Sequence, residues 1–533
     1  MKIGNEDVKL YLGSAEVDKV YLGTTQVYPS EEPTPVPYEE QYFTIESTSD
    51  NNTISFTMGT GMTTAITTAV TSVSVSTDDG VTWTSMENIG ANASLSVTLN
   101  NGEKAIWKGE ALGYSVTTAT TRSTLFSSTG NYKVYGNITS LLYDDEFPEK
   151  HNPTLPDFNC FTNLFNGSTG LTDASNLIMH FELPGITSKR QLGYLFKGCT
   201  SLVVAPELKN IGFGGSQQTF RNMFDGCTSL TTAPELPVTR LVNNCYNNMF
   251  RGCTSLTTAP ELPVRPLADY CYSHMFEGCT SLTVAPELPA TTLRQYCYSY
   301  MFDGCTSLTT APQLPATTLA QSCYSYMFRG TNVLPDISNI DFTSEQVVAS
   351  GGLSGLFAGT NITDNDLMRI LPKNSNGKYC LPVTILTGSC YQQMFENCTS
   401  LTTAPQLPAT TLAQSCYWSM FGHCTSLTTA PELPATTLAN SCYNSMFQDC
   451  TSLAAAPELP ATTLASNCYY YMFKDCSNLN YIKCLATNIS ASNCTKNWVE
   501  GVASTGTFVK NAAMNNWTTG INGIPTGWTV QNA

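Results

Sequence analysis

Residues 249–263 read Met-Phe-Arg-Gly-Cys-Thr-Ser-Leu-Thr-Thr-Ala-Pro-Glu-Leu-Pro, and close copies of this phrase fill more than half of the chain. Its Met-Phe pair stands at Met223, Met249, Met275, Met301 and Met327, a step of 26, and again at Met394, Met420, Met446 and Met472, also 26 apart. Fainter copies lie at Leu164-Phe165, Leu195-Phe196, Leu356-Phe357 and Trp498. A fixed period of this length prescribes a solenoid, because no single unit can bury its own apolar face and each must stack on its neighbours.

Within one unit, Leu241, Cys245, Met249 and Cys253 recur at every fourth position, joined by Tyr246 and Phe250. That spacing predicts a short helix with one apolar face. Thr292 with Gln295, Thr318 with Gln321 and Thr411 with Gln414 have the capping-box spacing for its start. Its stop falls at Gly226, Gly252, Gly278, Gly304 and Gly330, then at Asn397, His423, Asp449 and Asp475, residue types that tolerate left-handed backbone. The Thr-Thr-Ala-Pro-Glu-Leu-Pro tail that follows must run extended, since each Pro pushes its predecessor out of the helical region and withholds an N–H. The expected unit is a short helix plus a very short parallel strand, an α/β solenoid.

The motif Phe-x-x-Cys-x-x-Leu, followed by a short strand and a Pro, resembles the leucine-rich repeat of BspA-type surface proteins, over roughly residues 160–500. The resemblance implies a general binding scaffold. This copy departs from the usual pattern in its longer period and in its second Cys.

The rest of the chain reads as foot, cap and interruption. Lys9-Leu10-Tyr11-Leu12-Gly13 returns ten residues later as Lys19-Val20-Tyr21-Leu22-Gly23, which predicts short strands and turns over residues 1–30. A segment this small cannot bury its own apolar residues, so Leu10, Tyr11, Leu12, Val20, Tyr21 and Leu22 are the candidate anchor to a partner. It resembles the N-terminal attachment segments of fibre-like virion proteins in phages of gut bacteria, which implies a capsid or tail protein as that partner. Residues 31–37 are a Pro-rich linker. Residues 38–152 alternate as strands, among them Ile54-Ser55-Phe56, Val73-Ser74-Val75, Leu95-Ser96-Val97 and Ala105-Ile106-Trp107, with Asp79-Gly80 as a hairpin turn. The expectation there is an all-β sandwich that also caps the solenoid, with Trp83 and Trp107 in or near its core. The solenoid spans 153–497, stretched by an insertion at 331–389 that carries Asp336, Asp341, Asp364 and Asp366. Asp364-Asn365-Asp366 is expected to be a solvated turn, because it lacks the Gly and terminal Glu of a calcium loop. Trp517, Pro525 and Trp528 in residues 498–533 suggest a hairpin-like C-terminal cap.

Composition narrows the chemistry. The chain has 533 residues, 12% charged, and a net charge of −16. No basic stripe exists to neutralise phosphates, so nucleic acid is excluded as a partner. No 18-residue apolar run exists to insert in a membrane. The first residues lack the apolar region of a secretory signal, so synthesis in a bacterial cytoplasm is expected. The 21 Cys fall mostly in two columns and contain no C-x-x-C, which makes them buried free thiols rather than metal ligands or redox pairs. The four His (His151, His180, His274 and His423) form no zinc motif, and no phosphate loop or nucleophile elbow is present. The column Glu207, Glu235, Glu261, Glu287, Glu432 and Glu458 reads as a solvated face. No cofactor, metal or catalytic residue is therefore expected.

Variation inside the repeat is concentrated at positions equivalent to 243, 244, 247, 248 and 251, read as one exposed helix face. Tyr270, His274, Tyr296, Tyr300 and Tyr326 gather there in adjacent turns, and Trp418, Tyr470 and Tyr471 in later ones. Such aromatics suit a host-surface glycan or protein. The sequence thus points to a non-enzymatic phage virion appendage, a head or tail fibre-like protein compatible with homo-oligomer formation. A bacterial cell-surface adhesin of BspA type is the alternative, and a glycan-degrading enzyme is a third that would need an asymmetric carboxylate cleft.

Overall fold

A computed structural model describes residues 40–533 apart from 59–69, 88–92, 112–124, 151, 157–159, 184–190, 209–210, 213–217, 237–239, 338–339 and 341–349, together with six short strands before residue 40. Those six are β1 (Lys2–Ile3), β2 (Glu6–Asp7), β3 (Tyr11–Leu12), β4 (Ala15–Glu16), β5 (Val20–Leu22) and β6 (Thr25–Tyr28). They pair antiparallel as β1-β2, β3-β4 and β5-β6. The ten-residue repeat is therefore one hairpin per copy, and the pair at Lys2–Asp7 is a third copy that the sequence pattern hid. Tyr11, Leu12, Val20, Tyr21 and Leu22 sit in strands, whereas Leu10, Asp341 and the linker 31–37 lie outside the described residues.

Alternating patterns next build two sheets from β7 (Phe43–Ser47), β8 (Asn52–Thr57), β9 (Val70–Ser76), β10 (Thr84–Glu87), β11 (Ser94–Leu99), β12 (Lys104–Ala111), β13 (Phe126–Ser128), β14 (Tyr132–Asn137) and β15 (Leu171–Ile178). One sheet has the order β10-β9-β12-β7-β14-β15 and the other β11-β8-β13. They share a core where Phe126 meets Phe56 and Trp107, each at 5.1 Å between ring centroids. Trp83 is half-buried at the margin, with Lys108 Nζ 4.5 Å from its ring centroid. Antiparallel pairing gives way to parallel pairing between β14 and β15, which hands the sheet over to the repeats. Phe126 stacks on Phe165, and Phe165 on Phe196, so the core is continuous across the junction.

The repeat itself corrects the helical expectation. The α-helices among the described residues are Ser140–Tyr143 and Asp364–Ile370, and neither lies in a 26-residue unit. Residues 242–253 form instead a chain of linked reverse turns. The N–H groups of Cys245, Asn247, Met249, Arg251 and Cys253 donate three residues back, while those of Asn244, Tyr246, Asn248, Phe250 and Gly252 donate to the next unit, to Asp269, Cys271, Ser273, Met275 and Glu277. Turns with a left-handed third residue, at Asn244, Asn248 and Gly252, alternate with turns without one.

The physical reason is the period. An α-helix drifts by about 40° for every four residues, so an exact four-residue repeat walks off any helical face. Paired turns return to one face every fourth residue, and they leave half of the N–H groups free to bond the neighbour. Leu241, Cys245, Tyr246, Met249, Phe250 and Cys253 are all buried, as the pattern requires. The capping-box pairs do no capping, since no helix starts there. The left-handed stop is real, with positive φ at Gly252 (69°), Asn397 (58°), His423 (60°) and Asp449 (58°).

On the opposite side the Pro-rich tails meet only as single parallel bridges, Thr232 with Thr258, Thr258 with Val284 and Val284 with Thr310. Short parallel pairs also join β16 (Phe181–Glu182) to β17 (Ile211–Gly212). The insertion does not break the succession of turns. Tyr326 N–H reaches the Ser354 carbonyl 28 residues on, and Gly355 N–H reaches Gln392, 37 on. Asp364-Asn365-Asp366, expected as a turn, opens the helix Asp364–Ile370, with Thr363 and Asp366 forming its capping box. At the far end β18 (Tyr481–Cys484), β19 (Thr507–Lys510) and β20 (Thr529–Asn532) pair in parallel, so this end is no hairpin. Trp517 stacks on Trp498 at 5.7 Å and closes the aromatic column.

A candidate binding groove

Left-handed residues four positions apart fall into columns when the units stack. Tyr270 (φ 57°) and Tyr296 (φ 54°) occupy one column; His274 (φ 57°), Tyr300 (φ 57°) and Tyr326 (φ 53°) occupy another. Their rings lie face to face, Tyr270 on Tyr296 at 4.6 Å, His274 on Tyr300 at 4.5 Å and Tyr300 on Tyr326 at 4.8 Å. The second column ends where Tyr326 lies over Gly355, and its hydroxyl donates to the Gln393 amide oxygen.

Between the two rails runs the column that includes Asn247, Ser273, Ser299 and Ser325. These residues were expected on an exposed face, yet all four are buried. A turn brings its third and fourth residues back against the stack, so this position becomes a floor, and the small side chains leave a trough above it. Arg221 closes the trough at one end and Gln392 at the other, around a volume of about 750 Å³. The floor's peptide groups are spent: the Ser273, Ser299 and Ser325 carbonyls accept from the N–H groups of Asn248, His274 and Tyr300, and their own N–H groups donate to the carbonyls of Tyr270, Tyr296 and Ser322.

Charge is arranged asymmetrically around this trough. Its lining includes Arg221, Arg251 and His274 and no Asp or Glu. The carboxylates are not part of that lining, and each is tied to a basic side chain. Asp225 accepts from Arg251 Nε at 3.0 Å and pairs with Lys197; Asp303 accepts from Arg329 Nε at 2.9 Å; His274 Nδ1 lies 2.5 Å from Glu277 Oε2. Burial works against the charge on Asp225, but hydrogen bonds from Arg251 and Lys197 outweigh it and hold this carboxyl below its usual range. Burial dominates at Asp303 and raises it despite Arg329. Burial also pushes the Tyr300 phenol up to about 12, so this hydroxyl keeps its proton and can donate at ordinary pH. Arg329 lies over both Tyr300 and Tyr326, at 5.5 and 5.3 Å from their ring centroids, and buttresses that rail.

The ring faces cover one another, so the walls offer ring edges and hydroxyls rather than flat platforms. The separation of stacked rings also varies across the molecule. It is 4.5–4.8 Å at the rail rings but 5.8 Å between Phe250 and Phe276 and 5.9 Å between Tyr272 and Tyr298 in the core.

Tyr270, His274, Tyr296, Tyr300 and Tyr326 are thus brought into one site. Trp418, Tyr470 and Tyr471 are not among the residues lining the trough. Trp418 is 40% exposed on its own, and Tyr470 packs against Tyr471 at 4.1 Å. The glutamate column is exposed along the Pro-rich side. Sequence reasoning missed the floor and Arg221. The available signal was the run of Asn247, Ser273, Ser299 and Ser325, smaller residues next to the rail positions in each unit.

No curated protein matches the chain. Residues 193–332 and 386–497 match the BspA type Leucine rich repeat region in six copies, so these stretches are similar to that repeat.

Proposed function

We propose that the chain is a non-enzymatic, adhesin-type repeat protein, built as a solenoid, that holds an extended host-surface ligand in the trough between its two aromatic rails. One observation carries this reading: across four consecutive units the floor at Asn247, Ser273, Ser299 and Ser325 stays small, while Tyr270 and Tyr296 wall one side and His274, Tyr300 and Tyr326 the other, which produces a continuous groove of about 750 Å³ instead of a scatter of surface side chains. A groove of that size lies in the range that encloses a ligand of several rings. The test is Ser299→Trp, which places an indole on the floor. Loss of binding to host cells with an unchanged thermal midpoint supports the reading, and undiminished binding overturns it.

Its placement as a virion appendage is proposed on the ten-residue hairpin repeat at the N-terminus. Three two-stranded units are too small to be stable alone and suit docking on a capsid or tail protein. A chain starting at residue 38 should then be absent from purified particles, as judged by mass spectrometry. The BspA-type repeats favour a second reading, a bacterial cell-surface adhesin, for which the full chain would be found in the cell envelope fraction and not in particles.

A further inference from the structure

We infer that the ligand of this groove is an acidic polysaccharide of hexuronate type, one of whose carboxylates meets Arg221; the inference rests on the groove being a binding site. The protein carries a net charge of −16, yet the trough presents two arginines and a histidine and no carboxylate. Of these arginines, Arg251 is already satisfied by two hydrogen bonds to Asp225, at 3.0 and 3.2 Å. Arg221 is different. Its Nη1 donates to Gln218 Oε1 at 3.3 Å, its Nε is buried with no hydrogen-bond partner, and it makes no ion pair among the described residues.

The rest of the trough selects the polymer. The Ser273 and Ser325 hydroxyls and the edge-on phenols of the rails are hydrogen-bonding groups suited to a hydroxyl-rich chain, and the Ser299 hydroxyl, which donates to the Ser325 carbonyl, can still accept. No unpaired backbone edge lines the floor, because its carbonyls and N–H groups are already bonded within and between units. An acidic peptide could therefore not add as a strand, which is how peptides gain most of their main-chain affinity.

Calorimetry on the full chain tests this with three probes: polygalacturonate, its fully methyl-esterified neutral form, and poly-glutamate. We expect polygalacturonate to bind about tenfold or more tightly than the ester, the effect of one charge-assisted contact. Arg221→Gln should erase that preference, Arg221→Lys should restore part of it, and Arg294→Gln, at an exposed position outside the groove, should change nothing. Equal binding of acid and ester, or a preference that survives Arg221→Gln, overturns the inference. Equally tight poly-glutamate binding that is lost in Arg221→Gln overturns it in favour of an acidic peptide. Ser299→Trp separates the two levels: if it abolishes binding of both polysaccharides, the groove stands whatever Arg221 does, and if it leaves both intact, the groove reading itself fails.

Discussion

The thiol of Cys253 donates a 3.1 Å hydrogen bond to the main-chain carbonyl of Phe224 in the preceding unit. The same bond runs from Cys227 to Phe196, from Cys279 to Phe250, from Cys305 to Phe276 and from Cys424 to Phe395. The column is thus a seam between units as well as packing. If so, Cys253→Ala should cost about 1–3 kcal/mol through the lost bond and the void, and Cys253→Ser should fall within about 1 kcal/mol of it, because the hydroxyl can use the same acceptor. A thiol that merely fills space would make Ser the worse replacement by about 2 kcal/mol. Urea midpoints of the two variants decide between these outcomes.

Alkaline pH should unfold the protein. All 21 cysteines are free and buried, and burial pushes the thiols of Cys245, Cys297 and Cys416 up from 9.0 to about 12. A folded-state value above the unfolded one means that stability is fully present below pH 9 and is lost as pH rises towards 12, since the unfolded chain releases protons that the folded chain retains. Circular dichroism followed from pH 7 to 12 should show a cooperative loss in that window. Iodoacetamide at pH 8 should leave the native thiols unmodified and label them after unfolding in urea.

The turn chain sets a backbone requirement at every fourth residue. Ser441 has φ of 56°, where an L side chain is strained by about 1–2 kcal/mol and Gly is not. Ser441→Gly should therefore stabilise or be neutral, and Ser441→Val should lower the thermal midpoint. In an α-helix the order would be reversed, Gly being the poorer residue, so this pair also tests the local fold.

At Gly355 the limit is space. A Cβ built there would collide with Cδ1 of the Tyr326 ring, and φ is +60°. Gly355→Ala should displace the Tyr326 ring and break its bond to Gln393. The expected result is weakened ligand binding with Tyr326 ring signals shifted by NMR, and unaltered shifts would contradict the packing described for that rail.

How much of this was legible follows from the period. The core residues Cys245, Tyr246, Met249 and Phe250 could be read because burial demands recurrence, whatever the backbone does between them. The backbone was misread because i, i+4 spacing was equated with a helix, although three such steps already exceed a helical face. Left-handed Gly252 was legible by its residue type, while Tyr270 and Tyr296, bulky residues that seldom take positive φ, gave no such sign. The two rails could be named from Tyr270 to Tyr326, but the floor between them depends on which side of a turn faces inward. Arg221 escaped notice because nothing in one dimension shows that a charge lacks a partner.

The bonding between units has a direction. In most units five N–H groups of the turn chain, such as those of Asn244, Tyr246, Asn248, Phe250 and Gly252, point to carbonyls of the following unit, whereas Ser255 and Thr257 point back to the preceding one. The imbalance repeats along the array, so peptide dipoles add up to a macrodipole whose positive end is the C-terminal one, opposite in sense to that of an α-helix. The two ends are finished accordingly. Phe126 supplies an N–H to the carbonyl of Leu164 at the first unit, and Ile521 and Asn522 supply oxygen acceptors to Val499 and Asn497 at the last. A unit grafted in reverse order, or a cap exchanged between ends, would set donor against donor, and the array can be lengthened only by insertion between its existing neighbours.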